Sequence, residues 1–313
     1  MNVAPTWEGP ARPAVSVIVP YLDTPVALDC CIESLARGCD GLAHELIVVD
    51  NGSRAAALPR IVRAHERRVL RNEVNRGFAS ACNQAAAVAF GSYLLFLNSD
   101  ATVAPCAIRR MVEVLELDAG LAGVAPLHRD RQGRTTSPGR AWLGPTAQAL
   151  ALLGYARARS PRAASGATTH DAPWLSAAAL LIRARVFRLL GGFDESYFFY
   201  EEDEDLAWRL ARRGHRLAVC PDASVEHHGG LSADAAGTWP VLALYAGQAR
   251  FVRRRWGAGG EWAYRASTCA AITLKAAKGA LLGSRSPTLA RVAPSRVLRL
   301  LCSRRMQVRI TEE

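Results

Sequence analysis

The first part of the chain alternates between short apolar runs and amphipathic stretches, and this alternation constrains the fold more than any other feature. Apolar runs at Val15–Val19, Glu45–Asp50 and Tyr93–Leu97 predict β-strands, and the stretches between them predict helices. Strands that are apolar along their whole length are typical of a parallel sheet that helices cover on both faces. The sequence therefore predicts an α/β fold.

The other predicted elements follow from turn residues and from the period of the apolar positions. Thr24-Pro25 predicts a helix start, because threonine is a good N-cap and proline is favoured at the first helical position. Helices are predicted at about 25–37, 56–67, 79–90, 105–117, 184–190 and 238–256, and further strands at about 69–71, 174–182 and 216–220. Irregular chain is predicted at 128–170 and in a histidine- and glycine-containing loop at 225–232.

Acidic residues follow two of the strands. Asp50 ends one strand and Asp100 follows another, so both are expected at the carboxyl edge of the sheet, where open α/β folds bind ligands. Asp50 is also well placed to accept a hydrogen bond in an Asx turn before Asn51-Gly52-Ser53. The chain has neither a Gly-x-Gly-x-x-Gly nor a Walker loop, so a bound nucleotide would need a metal or another device.

Five consecutive acids, Glu201-Glu202-Asp203-Glu204-Asp205, lie between an aromatic run and an amphipathic stretch. The aromatic flank favours a half-buried carboxylate cluster at a helix start, where a general base can be tuned. A structural helix is the alternative, because acids in a first turn complement the helix dipole and Asp205 can pair with Arg209. The segment alone leaves both interpretations open.

The positive charge is concentrated at one end of the chain. From Arg250 onward there are 14 Lys/Arg and 3 Asp/Glu, a net charge of +11, whereas the preceding residues have 25 of each. A neutral body argues against a nucleic-acid-binding core. The basic end is expected either to meet an anionic surface such as a membrane leaflet or to act as a solubilising helical extension.

The cysteines and the N-terminal segment indicate a cytoplasmic protein. None of the eight cysteines has Cys-x-x-Cys spacing, and most lie in apolar or helical contexts, which predicts reduced thiols without zinc or disulfides. Residues 1–14 are polar and contain three prolines, so no signal peptide is expected there. No apolar run reaches the length of a membrane span.

Seven short motifs occur together in a recognisable order. They are Val17-Ile18-Val19-Pro20, Ile47-Val48-Val49-Asp50-Asn51-Gly52-Ser53, Asn75-Arg76-Gly77-Phe78 with Asn83, Leu97-Asn98-Ser99-Asp100, Gly191-Gly192-Phe193-Asp194-Glu195, Phe198-Phe199-Tyr200-Glu201-Glu202-Asp203-Glu204-Asp205-Leu206 and His227-His228-Gly229-Gly230. With them the chain resembles the family 2 inverting glycosyltransferases, most closely the rhamnosyltransferase-like branch, over about Val15 to Trp256. It departs from the family at Leu22, where tyrosine is usual, at Asn98, where an acid is usual, and at Ala177, where glycine is usual.

The resemblance implies a GT-A fold, in which a Rossmann-like nucleotide-binding half joins a mixed-sheet acceptor half. On this basis the chain is expected to comprise an N-terminal tail at 1–14, the glycosyltransferase domain at 15–256 and a basic helical extension at 257–313. Bacterial enzymes of this kind act in polysaccharide biosynthesis for the cell envelope. The expected location is the cytoplasm, peripherally at the inner face of the membrane.

The resemblance also implies roles for particular residues. The nucleotide would be bound by Pro20, Asp23, Asp50, Asn75, Gly77, Asn83, Asn98 and Asp100. A divalent cation, Mg²⁺ or Mn²⁺, would be held by Asp100 and His227. Asp203, with Glu202 beside it, would be the catalytic base, and Trp174 and Asp205 would lie on the acceptor side. N-capping by Asn75 and a purely structural role for His227 or Asp205 are the alternatives.

The implied activity is transfer of rhamnose or a hexose from a nucleotide-sugar donor, dTDP-rhamnose or a UDP-hexose, to a hydroxyl of a glycan or lipid-linked acceptor. The alternative is a catalytically silent GT-A-like domain that binds nucleotide-sugars or serves as a scaffold, which Asn98, Leu22 and Ala177 motivate. A nucleotidyltransferase has less support, because no glycine- and lysine-rich loop follows the first strand.

Overall fold

The computed structural model of the protein describes residues 12–54, 68–130, 132–136, 138–139, 141–152, 169–227, 238–282 and 292–303. Its strands are β1 (Val15–Tyr21), β2 (His44–Asn51), β3 (Arg68–Asn72), β4 (Tyr93–Leu97), β5 (Ala101–Val103), β6 (Leu121–Arg129), β7 (Thr135–Thr136), β8 (His170–Asp171), β9 (Ala179–Arg183) and β10 (Arg216–His227). Its helices are α1 (Pro25–Cys39), α2 (Phe78–Val88), α3 (Ala107–Leu117), α4 (Pro145–Leu152), α5 (Ala184–Leu189), α6 (Glu202–Ala211), α7 (Trp239–Leu282) and α8 (Pro294–Cys302).

The described chain groups into two compact units. The first contains 1–140, 160–196 and 203–232, and the second contains 141–159, 197–202 and 233–313. All ten described strands belong to the first unit. The domain limits at 15–256 and 257–313 stay a prediction.

In the first unit, β1 to β4 form a parallel sheet in the order β3-β2-β1-β4. Strands β1 and β4 are buried almost throughout, as their uniformly apolar sequences predict. The α/β fold predicted from the alternation is confirmed. The helix predicted at 56–67 lies outside the described residues.

The sheet continues in the order β9-β6-β10-β5, and here the strand directions are mixed. Strand β9 is antiparallel to both β4 and β6, β10 is parallel to β6, and β5 is antiparallel to β10. This is the mixed half expected of a GT-A fold. Parallel and mixed halves therefore meet where β4 pairs with β9.

Several element predictions for this half were wrong. Strands β5 and β6 were not predicted, and the strand predicted at 174–182 begins only at Ala179. Strand β10 runs to His227, so the loop predicted from Val225 starts too early. A register irregularity between Cys220 and Ser224 lets β10 pass Pro221 and continue its pairing with β6.

Helices α1 and α3 pack on the apolar sheet and complete the main core of the first unit. Leu28, Ile32 and Leu35 of α1 point into this core together with Ile108 and Met111 of α3. Pro25 occupies the first turn of α1 as predicted, but the Thr24 side chain makes no capping hydrogen bond. Its hydroxyl lies 3.1 Å from Ser99 Oγ instead, which ties the start of α1 to the end of β4.

The second unit is helical in its described part. The long helix α7 is kinked at Gly257, whose φ of 71° and ψ of −168° are not helical. Tyr245, Val252, Tyr264 and Ile272 of α7 pack against Val297 and Leu301 of α8 in a separate apolar cluster. None of the helices within the described ranges is long and apolar enough to cross a membrane.

Candidate active site

The candidate site lies in the first unit, along the edge where the parallel strands end. Asp50 is buried at the end of β2. Its Oδ1 accepts a hydrogen bond from the Ser53 N–H at 3.0 Å, and its Oδ2 accepts one from Arg71 Nε at 3.0 Å. Asp50 thus forms the turn considered in the sequence analysis and also pairs with a half-exposed guanidinium.

Short hydrogen bonds connect the loops that follow β1, β2 and β4. The Asp23 N–H donates to Ser53 Oγ at 3.1 Å, and Asp23 Oδ1 accepts from the Arg54 N–H at 2.9 Å. The contact of Thr24 with Ser99 then joins the loop after β1 to the loop after β4. Asp23 and Asp50 are therefore linked through Ser53, and this network reaches the residue before Asp100.

Asn51 is a site residue that the sequence analysis left out of its candidates. Its Nδ2 donates to Asn75 Oδ1 at 3.0 Å and to the Gly77 carbonyl at 3.2 Å, and its Oδ1 accepts from the Arg76 N–H. Asn75 Oδ1 also accepts from the Gly77 N–H, so Asn75 forms a turn and does not cap α2. Asn51, like Asp50, lies at the end of a buried strand, and this position could have identified it as a site residue.

Two glycines make this loop arrangement possible. Gly52 has a φ of 87°, and a Cβ there would lie 2.6 Å from the Val74 carbonyl carbon. Gly77 precedes α2 with a φ of 85°. Both positions have the backbone conformation that favours glycine. The two loops can therefore approach each other closely, which explains why glycines occur in both motifs.

Asn83 of α2 binds a loop that is remote in the sequence. Its Nδ2 donates to the Phe193 carbonyl at 2.9 Å and to Glu195 Oε1 at 3.0 Å, while its Oδ1 accepts from the Phe193 N–H. The amide is thus engaged at both ends by the Gly191–Glu195 motif. This geometry favours a positioning role for Asn83, because its side chain holds that loop.

Asn98, Asp100 and His227 come together although His227 lies far along the chain. His227 Nε2 is 3.3 Å from Asp100 Oδ1 and 3.2 Å from Asn98 Nδ2. The β10–β5 pairing accounts for this, because it sets His227 opposite Ala101, directly after Asp100. Asp100 is buried and His227 is partly exposed. Oxygen and imidazole nitrogen atoms that are able to bind a metal ion therefore lie close together just after β4.

The donor pair fits one side of a divalent cation site. Two neighbouring ligands of an octahedral Mg²⁺ at about 2.1 Å from the ion are about 3 Å apart, close to the separation of Asp100 Oδ1 and His227 Nε2. The described part of the chain has no cluster of three or more His, Cys, Asp or Glu residues that could hold a metal. Remaining ligands would therefore come from a substrate and from water.

His128 is a second residue that the sequence analysis missed. It lies near the end of β6, and its ring meets the His227 ring edge-on, with 5.7 Å between the centroids. Burial, and secondarily the nearby His227, lowers the pKa of His128 to about 4. Its neutral ring thus supports one side of His227. No sequence pattern indicates this contact, because only the sheet pairing brings the two histidines together.

Asp203 lies in the first turn of α6 and is held by three donors. Its Oδ1 accepts from Trp174 Nε1 at 3.1 Å and from the Glu204 N–H at 2.8 Å, and its Oδ2 accepts from the Ala177 N–H at 3.0 Å. Trp174, expected on the acceptor side, thus contacts the expected base directly. Ala177 contributes its backbone N–H to the same carboxylate, a contact that glycine would make equally well.

Asp203 differs from its acidic neighbours in exposure. It is partly exposed, whereas Glu201, Glu202, Glu204 and Asp205 are buried. Asp205 has no exposed surface and forms an ion pair with Arg209, with 2.6 Å between Oδ2 and Nε. Of the two roles considered for Asp205, this geometry favours the structural one. Within the acid block, Asp203 is the carboxylate that an incoming group can reach.

A short backbone path connects Asp203 to the end of β4. The Asn98 N–H donates to the Ala178 carbonyl at 2.9 Å, and the preceding residue, Ala177, donates its N–H to Asp203. With the loop contacts that begin at Asp50, this brings Asp50, Asp100 and Asp203 along one edge of one sheet. Pro20 and Leu22 flank the end of β1 on the same edge.

Comparison with known proteins identifies the family of enzymes to which the chain is related. Residues 16–170 match the family described as glycosyl transferase family 2. The chain belongs to this family. The transferase is similar to the N-acetylglucosaminyl-diphospho-decaprenol L-rhamnosyltransferase of Mycobacterium tuberculosis, with 27% identity in an alignment that covers 58% of this chain and 66% of the relative. It is also similar to the O-antigen biosynthesis protein RfbC of Myxococcus xanthus, with 29% identity over 74% of this chain and 19% of the relative.

Solved structures show the same fold. The transferase superposes on a mannosyltransferase from Pyrobaculum calidifontis, in complex with GDP-Man and Mn²⁺, with a TM-score of 0.53 and 19% identity over 93% of this chain and 81% of the other. It also superposes on GalNAc-T7 with UDP, GalNAc and Mn²⁺, with a TM-score of 0.59 and 17% identity over 78% of this chain and 48% of the other. The predicted family, its rhamnosyltransferase-like relatives and the GT-A fold are confirmed.

Proposed function

We propose that this transferase moves a sugar, with inversion, from a nucleotide-sugar donor to a hydroxyl of a glycan or lipid-linked acceptor in the bacterial cell envelope. The observation that carries the proposal is the line of contacts that joins Asp50, Asp100 and Asp203 along one sheet edge. Acids that bind a nucleotide, a cation and an acceptor proton must be close together, and hydrogen-bonded loop residues connect these three.

The loops after β1 and β2 are assigned to the nucleoside. Asp23 and Asp50 carry carboxylate oxygens that can accept hydrogen bonds from a base N–H or a ribose hydroxyl. Pro20 is partly exposed near the end of β1, and the turn of Asn75 and Gly77 forms the adjoining wall. Because Ser53 and Asn51 hold these loops by hydrogen bonds, the nucleoside pocket is largely preformed.

Asp100 and His227 are assigned to a divalent cation, with Asn98 beside them. When bound, Mg²⁺ or Mn²⁺ neutralises charge on the nucleoside diphosphate that leaves. The spacing of the Asp100 and His227 donor atoms supports this assignment, as do the Mn²⁺ ions in two structures of the same fold. The single carboxylate of this pair leaves the diphosphate to supply most of the negative charge around the ion.

Asp203 is assigned as the general base. Its carboxylate takes the proton of the acceptor hydroxyl while the hydroxyl oxygen attacks the anomeric carbon, and the bond from that carbon to the diphosphate oxygen breaks. One displacement inverts the anomeric centre, so no covalent enzyme intermediate is needed. Trp174 and Ala177 orient the carboxylate by direct hydrogen bonds, and a general base of this kind typically contributes about 10²–10⁴-fold.

The relatives narrow the substrates. A rhamnosyltransferase that acts on a decaprenol-linked sugar supports dTDP-rhamnose as donor and a lipid-linked glycan as acceptor, with a UDP-hexose as the alternative donor. Such an acceptor is anchored in a membrane, which supports a cytoplasmic protein located at the inner membrane face. The expected interaction of the basic end of the chain with an anionic surface agrees with this location.

A catalytically silent nucleotide-sugar-binding domain is the second candidate. Asn98 favours it, because an amide at this position removes one negative charge from the expected cation site. The two candidates differ in turnover and not in binding. A silent domain would bind a nucleoside diphosphate without releasing one from a nucleotide-sugar.

A donor screen tests the proposal. Purified protein is incubated with dTDP-rhamnose or UDP-hexoses, with and without Mn²⁺, and the released dTDP or UDP is measured. The transferase is expected to release nucleoside diphosphate from one donor only when the cation is present, and faster with acceptor. Asp222→Asn, which changes an exposed acid of the same unit, is the matched control. Nucleotide binding without release under every condition would favour the silent domain.

A further inference from the structure

The helix α7 has one covered face and one uncovered face beyond its kink at Gly257. Tyr264, Thr268 and Ile272 are buried at helical spacing, and the two apolar ones among them pack in the cluster that includes Val297 and Leu301 of α8. This face is what holds α7 in the second unit. The opposite face of the same segment has no such partner in the described residues.

The uncovered face is apolar except for Thr273, whose hydroxyl donates to the Cys269 carbonyl of its own helix. The exposed positions between Trp262 and Ala277 are Trp262, Ala263, Ala266, Ala270, Thr273, Leu274 and Ala277. None of them is charged, and Trp262 and Leu274 are 71% and 62% exposed. At about 100° per residue these positions fall within an arc of about 120° around the helix. We call these seven residues the apolar face.

Helix α3 of the same protein shows how an ordinary surface helix differs. Its exposed positions are Arg109, Arg110, Glu113, Glu116 and Leu117, of which four are charged. A solvated helix face is normally polar, and contiguous exposed apolar surface marks an interaction site. The apolar face is therefore an interaction surface, and its surroundings indicate the partner.

The segment that carries the apolar face is rich in positive charge. The described residues of 238–282 and 292–303 include nine Lys/Arg and one acid, Glu261. Glu261 is itself bound by Arg253 and Arg265, at 2.8 Å for its Oε2 and 3.0 Å for its Oε1. Arg250, Arg253 and Arg254 are exposed just before the kink. An apolar stripe with tryptophan, on a segment rich in arginine and lysine, matches the interface of an anionic bilayer.

We propose that the apolar face of α7 lies in the surface of an anionic membrane, with Trp262 and Leu274 inserted among the lipid chains. A second copy of this chain is a less suitable occupant, because two segments of net charge +11 would repel each other. The inference goes beyond the proposed reaction and does not depend on it. Where the acceptor is lipid-linked, this surface brings the transferase to it.

Vesicle co-sedimentation of the full chain tests the proposal. One set of vesicles contains phosphatidylglycerol and phosphatidylcholine, and the other contains phosphatidylcholine alone. The wild-type protein is expected to sediment with the anionic vesicles and to dissociate as salt is raised. The double variant Trp262→Glu/Leu274→Glu should bind at least about tenfold more weakly, because it loses two inserted apolar side chains and gains two negative charges.

Matched controls separate this surface from other causes. Leu117→Glu changes a leucine that is 89% exposed in the first unit, and it should bind vesicles like the wild type. Circular dichroism checks that the double variant is folded, and donor turnover with a water-soluble acceptor should be unchanged. Vesicle binding by the folded double variant equal to that of the wild type would overturn the proposal. So would a wild-type dimer that the double variant dissociates, with no vesicle binding by either protein.

Discussion

His227 Nε2 lies 3.3 Å from Asp100 Oδ1, although the two residues are far apart in the sequence. The short strand β5 makes this contact possible, because it follows Asp100 directly and pairs antiparallel with the last residues of β10. The arrangement turns two remote motifs into one donor pair.

Asn98→Asp should strengthen cation binding. The substitution places a second carboxylate beside Asp100 and His227, and additional ligand charge tightens a divalent site. The Mn²⁺ concentration for half-maximal turnover, or for half-maximal thermal stabilisation in the presence of nucleoside diphosphate, should fall roughly tenfold. Asp100→Asn should raise it. If both variants keep the wild-type Mn²⁺ dependence, these residues do not hold the cation.

The wild type should become less stable to unfolding as the pH falls, and His128→Phe should lack this part of the pH dependence. Because burial lowers the pKa of His128 to about 4, the unfolded chain binds a proton between pH 6.5 and about 4 that the folded chain does not. The stability contribution is thus present above pH 6.5 and is lost as the pH falls toward 4, by up to roughly 3 kcal/mol. Urea denaturation of both proteins across this pH range measures how their free energies of unfolding differ. If His128 is accessible to water, the two proteins should show the same pH dependence.

The same position also tests how His227 is supported. Phenylalanine preserves an aromatic ring against His227 and removes the buried His128 Nε2, which has no hydrogen-bond partner among the described residues. His128→Phe should therefore keep the wild-type Mn²⁺ dependence at pH 7, whereas His128→Ala leaves a cavity and should weaken it. Equal effects of the two variants would show that ring packing does not position His227.

Thiol reactivity tests the orientation of α1 with two adjacent cysteines. Cys30 is exposed, whereas Cys31 is buried and its pKa is raised by burial and secondarily by Asp100. Burial also raises the pKa of Cys39 to about 12. At pH 8 a thiol reagent should label Cys30 rapidly and leave Cys31 and Cys39 unlabelled until the protein unfolds. Cys30→Ser removes one rapid site, and rapid labelling of Cys31 would contradict the packing of α1.

Much of the parallel half of the sheet could be predicted because β1, β2 and β4 each contain a short, mainly apolar run. The run Tyr93–Leu97 matches β4 residue for residue, and Glu45–Asp50 lies within β2. The mixed half was harder to predict. Strand β6 contains Gly123 and Pro126, which weaken its intrinsic strand preference, and its stability comes from pairing with β9 and β10.

The candidate site shows the same division. Asp50 and Asp100 could be placed at the sheet edge because Asp50 ends one predicted strand and Asp100 lies shortly after another. The contacts of Asp203 with Trp174, and of His227 with His128, depend on residues distant in the sequence, and no local pattern indicates them. The order of the motifs indicated which acids to consider. Only the pairing of β4 with β9 and of β5 with β10 brings Asp203 and His227 to the strand end near Asp100.

The most direct test of the account is the kinetics of Asp203→Asn with the donor that the screen identifies. The asparagine keeps an oxygen that can accept from Trp174 Nε1 or Ala177 N–H but cannot take up the acceptor proton. We expect nucleoside diphosphate to bind with Mn²⁺ within about twofold of wild type, and kcat to fall at least about 10²-fold. Asp222→Asn should leave both unchanged. Wild-type turnover by folded Asp203→Asn would contradict the assignment of Asp203 as the base.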